Sequence, residues 1–132
     1  MTSNSLVLDD YYELLALHRA LLEAKFCDEP NDLDVSGSPI VARLYQKLIP
    51  VLIQAEVEKK GDTARQSWSH WLRLDATRRE WGVALKRARV EKKWRSWRAA
   101  EKRSYVVDLF VPFILEDESI ERFISQVEET AN

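Results

Sequence analysis

From Tyr11 to Phe26 the apolar side chains return every third or fourth residue, at Tyr11, Leu14, Leu15, His18, Leu21, Leu22 and Phe26. That spacing puts them on one face of a helix and predicts a first helix over about Asp9–Cys27. Asp9, Asp10 and Glu13 crowd its first turn, where the helix dipole favours negative charge. Pro30 biases the preceding residue away from helical geometry, so the helix should stop near Asp28. Turn-forming residues dominate 28–38 and predict a loop. Ser38 then reads as an N-cap with Pro39 at the first helical position. The second helix runs to about Lys60, with Val41, Leu44, Tyr45, Leu48, Leu52 and Ala55 facing the core and a kink expected at Pro50. Lys59, Lys60 and Gly61 make a C-terminal stop.

Asp62 or Thr63 caps a third helix, and Thr63 with Gln66 has capping-box spacing. No proline follows until Pro112, and strong helix formers continue to Arg103. The pattern predicts one helix of about forty residues, bent or split only at Gly82. Tyr105 to Leu115 could be a buried helical continuation that stops before Pro112 or an extended segment, and the helix is expected because a lone strand would have no partner. A last helix begins at Asp117 or Ser119 and presents Ile120, Phe123, Ile124 and Val127 on one face. The expected fold is all-α, a single helical domain over 1–132. It is a bundle of four main helices around a long central third helix.

Composition agrees with a globular helical chain. Of 132 residues, 45% are hydrophobic and 32% charged, which excludes both a disordered segment and a membrane span. Three glycines and four prolines are too few for an all-β fold. Cys27 is the sole cysteine, so no internal disulfide forms, and a reducing cytoplasm is the expected compartment. Cys27 is expected to be a small buried apolar residue. The first ten residues lack the basic start and apolar run of a secretory signal. The most apolar stretch, Tyr105–Leu115, is too short for a bilayer and contains Asp108.

Net charge is −2, but the charges are segregated. Residues 1–62 hold eleven acids and six bases, 63–104 thirteen bases and four acids, and 105–132 seven acids and one base. All five tryptophans fall in the basic block, at Trp68, Trp71, Trp81, Trp94 and Trp97. On a continuous helix, Leu74, Trp81, Leu85 and Ala88 would form one apolar stripe. Val83, Val90, Trp94 and Trp97 would form another roughly opposite, with arginines and lysines between. Two accounts fit. In one, the helix is the centre of its own bundle and its basic flanks face the acidic helices. In the other, the second stripe meets a partner, either a different protein or a second copy in a homodimer. Tryptophan and arginine are the side chains enriched at interface hot spots. The partner-binding candidates are then Trp68, Trp71, Trp94, Trp97, Arg95 and Arg98, with His70 between the first pair. A third possibility is nucleic-acid binding by the same block, with bases stacking on indoles. The acidic pI of about 5.8 and the absence of a zinc-finger or helix-turn-helix pattern weigh against it.

Catalytic motifs are absent. No glycine-rich phosphate loop, nucleophile elbow, paired-cysteine or zinc-hydrolase pattern occurs. His18 lies in the apolar stripe of the first helix and reads as a hydrogen-bonded core histidine. Cys27 lies on the opposite side of that helix, so the two cannot pair. The sequence therefore predicts an adaptor, chaperone-like factor or inhibitor rather than an enzyme, with no cofactor or metal.

Overall fold

The computed structural model describes residues 4–129; the expected domain limits, residues 1 and 132, lie outside them. Among the described residues every regular element is helical. Six α-helices follow one another: α1 Tyr11–Lys25, α2 Pro39–Lys60, α3 Thr63–Leu72, α4 Arg79–Arg89, α5 Ala99–Phe110 and α6 Asp117–Glu129. One 3-10 turn, Trp94–Ser96, lies between α4 and α5.

The capping chemistry of the first two helices is as the sequence indicates. The Asp10 carboxylate accepts the Glu13 amide, and the Ser38 hydroxyl accepts the Val41 amide with Pro39 following it. Pro50 stands inside α2 without ending it, and Gly61 closes the helix at φ 94, a left-handed conformation that glycine adopts without strain.

The long third helix does not exist. Its span is divided twice, and neither division is at Gly82, which sits inside α4. The first break covers residues 73–78. There the Asp75 carboxylate accepts both the amide and the hydroxyl of Thr77, a local bond that competes with helix propagation. The backbone turns extended at Arg73 and pairs with the segment after α5: Ile114 donates to the Leu72 carbonyl at 2.7 Å, and Leu74 donates to that of Ile114 at 3.3 Å. The Arg78 guanidinium then takes the carbonyls of Trp71 and Arg73, supplying donors that the helix end lacks. The second break follows Val90. Glu91 accepts the Lys93 amide, Ser96 donates to the Lys93 carbonyl, and Glu101 accepts the Arg98 amide to start α5.

These breaks also remove the expected pair of opposed apolar stripes. Trp81, Val83, Ala84 and Ala88 are all buried on α4, and the turn after Val90 brings Trp94 back onto the same core. The chain covers Val83 and Trp94 of the second stripe itself, while Val90 stays exposed and Trp97 half-buried. As expected, the helix through Tyr105 stops before Pro112, at Phe110; beyond it Ile114 lies in the extended pairing just described. Cys27 is exposed, contrary to its expected burial, because α1 ends at Lys25 and the chain leaves the core after Phe26.

The buried side chains form two clusters. One joins α1, α2 and α3 through Leu14, Tyr45, Leu48, Leu52, Trp68 and Leu72, and takes Val111 from beyond them. The other joins α4, α5 and α6 through Trp81, Val106, Leu109, Phe110, Ile120 and Phe123, and takes Phe26 from the end of α1. Trp71 packs against both. The Lys25 ammonium, almost fully buried, ties the halves together by donating to the carbonyls of Ser36 and Asp108 at 3.1 and 2.9 Å.

Candidate interaction surface

The two tryptophan pairs occupy different cores. Trp68 is buried and Trp71 half-buried, and their rings stand 5.5 Å apart, edge to face. Both rings meet His18, at 5.3 and 5.4 Å. The Trp68 indole donates to Glu56 at 2.6 Å, and Glu56 also accepts the Tyr11 hydroxyl at 2.8 Å. His18 itself is buried and shares a 2.6 Å hydrogen bond with the Tyr45 hydroxyl through Nδ1, as the core reading requires. Burial first, then the Arg19 charge, pushes the His18 pKa down. Burial raises that of Tyr45. An open recess of about 470 Å³ lies over Leu15, His18, Trp68 and Trp71. His70, the sequence candidate beside these tryptophans, is exposed and does not line it. Tyr45 and Glu56, which order the group, were not singled out in the sequence as a site; they stand on a neighbouring helix and no spacing within the chain marks them.

The second pair lies at the elbow between α4 and α5. Trp94 is buried, Trp97 half-buried, and both pack on Tyr105, with ring centroids 6.1 and 4.9 Å from it. The Lys102 ammonium lies 5.3 Å over the Trp94 ring and bonds Glu128 of α6 at 2.6 Å. The hydrogen bond from Lys102, with its charge, holds the Glu128 carboxyl below the usual range. Tyr105 is itself tightly enclosed. A side-chain carbon added at Gly37 would meet its ring edge at 3.0 Å, so the loop before α2 can approach this closely only as glycine. Burial pushes the Tyr105 phenol up to about 12. A cleft of about 570 Å³ opens beside it, walled by Trp97, Arg87, Glu91, Lys93 and the 34–39 loop.

Much of the basic block is committed to its own molecule. Arg87 bonds Glu91 at 3.0 Å and the Leu33 carbonyl at 2.8 Å. Arg79 faces Asp28 at 3.7 Å, Arg103 bonds Asp117, and Arg89 donates to the Gln126 carbonyl at 3.0 Å. Basic flanks thus meet the acidic loop and α6. At the elbow Lys92, Lys93 and Arg98 are exposed; Lys92 lines a recess with Val90, which is 55% exposed, and Lys93 lines the cleft beside Trp97.

Among the described residues, no three His, Cys, Asp or Glu side chains are grouped to hold a metal ion, and no helix is long and apolar enough to cross a membrane. Comparison with protein-family models, with curated proteins and with solved structures returned no match.

Proposed function

We propose that this chain is a non-enzymatic protein-interaction module, an adaptor or partner-specific inhibitor, that docks an acidic protein surface on the α4–α5 elbow. The observation that carries the reading is a pair of recesses that share Glu91, one lined by the exposed Val90 and Lys92 and the other by the exposed Lys93 and half-buried Trp97, with Arg98 exposed next in the chain. Apolar and cationic side chains set side by side suit such a surface. The backbone beneath it is held by the edge-to-face and tilted contacts of the Trp94, Trp97 and Tyr105 rings, so little conformational entropy is lost on docking. In this reading Trp94 positions the elbow and Trp97, Arg95 and Arg98 touch the partner. Trp68 and Trp71 build the other core, and His70 has no part in the contact. The exposed free thiol of Cys27 suits a reducing cytoplasmic setting.

Photo-crosslinkers placed at positions 95 and 98 in the native host test the proposal, with position 66 on α3 as control. Capture of one defined protein from 95 and 98 but not from 66, abolished by Arg95→Glu with Arg98→Glu, is the expected result. Equal labelling from all three positions refutes it.

The same exposed cations favour nucleic acid as the second reading, since phosphates would suit them equally. The indoles do not help: Trp94 is 5% exposed and Trp97 packs against Tyr105, which leaves no free ring face for a base from Trp94. Binding to single- or double-stranded DNA or RNA at low salt, falling steeply as salt rises, would favour this reading. No binding at low salt retires it.

A further inference from the structure

The aromatic recess of about 470 Å³ over α1 and α3 borders a polar atom that the fold leaves unused. Leu15, Leu22, His18, Trp68 and Trp71 wall it. His18 is 7% exposed and its ring is fixed, with Nδ1 held by the Tyr45 hydroxyl at 2.6 Å and both indoles against the ring. Trp68 is itself held by its bond to Glu56. The other ring nitrogen, Nε2, has no hydrogen-bond partner among the described residues, and it is not one of their fully enclosed polar atoms. The Tyr45 hydroxyl carries one proton and lies 2.6 Å from Nδ1 and 3.3 Å from the His18 carbonyl. Both contacts are hydrogen bonds when Nδ1–H donates to the hydroxyl and the hydroxyl donates to the carbonyl. Nε2 is then a bare lone pair, and burial keeps the ring uncharged near neutral pH.

We propose that this recess binds a small, uncharged aromatic molecule of the indole or phenol class, whose single N–H or O–H donates to His18 Nε2. The inference is independent of the elbow and of the partner proposed for it. Apolar and aromatic walls with one placed polar atom are the usual make-up of a small-molecule site, and the volume suits a ring of this size. Leu15, Leu22 and Trp71 are only half-buried, so a planar apolar body completes their burial. A bare acceptor selects a donor, because a ligand without one covers Nε2 and leaves it unpaired. Charge at the recess selects no ion. Arg19 and Glu56 both border it with opposite signs, and Glu56 is already engaged by the Tyr11 hydroxyl and the Trp68 indole. The clamped His18 ring needs no rearrangement to receive the ligand.

Titration of indole into the full chain, labelled with nitrogen-15 and followed by the N–H signals of its own tryptophans, is the test. The Trp68 and Trp71 signals should shift and saturate with a Kd below about 1 mM, while Trp81, in the other cluster, stays still. N-methylindole keeps the rings but has no donor, and should bind about fivefold or more weakly. An indole carboxylate should bind no better than indole. Ser67→Trp, at an exposed α3 position bordering the recess, should fill it and abolish the saturable shift, with the fold checked by circular dichroism. A Kd for indole above about 1 mM overturns the proposal, as does a Trp81 shift as large as those of Trp68 and Trp71. So does N-methylindole binding as tightly as indole, the carboxylate binding more tightly, or Ser67→Trp binding indole like the parent.

Discussion

Replacing Trp94 with alanine separates a core indole from a contact indole. The side chain is 5% exposed, packed among the α4, α5 and α6 residues of its cluster, with Trp97 and Tyr105 against its ring. Truncating a buried tryptophan costs about 3–5 kcal/mol, part lost transfer energy and part cavity. A domain of this kind has about 5–15 kcal/mol in total, so the variant should lose at least about a fifth of it. With a urea slope of about 1–3 kcal/mol per molar, the unfolding midpoint should fall by roughly 2 M at unchanged slope. Lys92→Ala and Arg98→Ala, at exposed positions, should each stay within about 0.5 kcal/mol of the parent. Urea titrations followed by far-ultraviolet circular dichroism measure all three. A Trp94→Ala midpoint within about 0.3 M of the parent would refute the reasoning, because the indole would then not be filling the core that holds the elbow.

Three further outcomes follow from the same packing. His18 has a folded pKa below its ordinary value, so the unfolded chain takes up a proton first; stability should be full above about pH 6.5 and fall as pH drops below it, and His18→Gln should flatten that limb of a urea-midpoint profile. Lys25 is lowered to about 8 by burial, so its protonated form is disfavoured in the fold. Stability should accordingly rise between about pH 8 and 9.5, before the buried tyrosines act in the opposite sense, and Lys25→Met should remove the rise. Gly82→Ala should stabilise by about 0.5–1 kcal/mol, since the position is helical with open space around it, whereas Gly37→Ala should destabilise by pressing on the Tyr105 ring; thermal melts of the two variants give the signs.

What could be read from the sequence was what local chemistry decides. Asp10, Ser38, Pro39 and Gly61 mark the ends of α1 and α2 because capping bonds reach only three or four residues. The face of α6 was equally plain from Ile120, Phe123 and Val127. The fate of residues 63–104 was not, because the partners that break the helix lie far along the chain: the amide and carbonyl of Ile114 bond Leu72 and Leu74 and hold Arg73 extended between them. A local signal was present, in Asp75 two residues before Thr77, but it outweighs a strong helical tendency only once Ile114 is in place. At the elbow, Arg95 and Arg98 were identifiable as surface cations. The enclosure of Trp94 was not, since it depends on a turn that folds the second stripe back onto the first. The acidic flanks were legible as charge blocks, and their pairing with the basic block is the bundle-centred account of those charges.

The division of the interior also bears on synthesis, during which the amino-terminal part emerges first. The cluster of α1, α2 and α3 draws its buried side chains from the first 72 residues, with Val111 the exception. Its partner draws them from residue 74 onward, with Phe26 the exception. A nascent chain therefore holds nearly everything the leading half needs to collapse before the trailing half has been made. Phe26, Leu22 and Trp71 pack on the trailing half's cluster and Val111 on the leading one's, so final consolidation waits until the trailing half has been made.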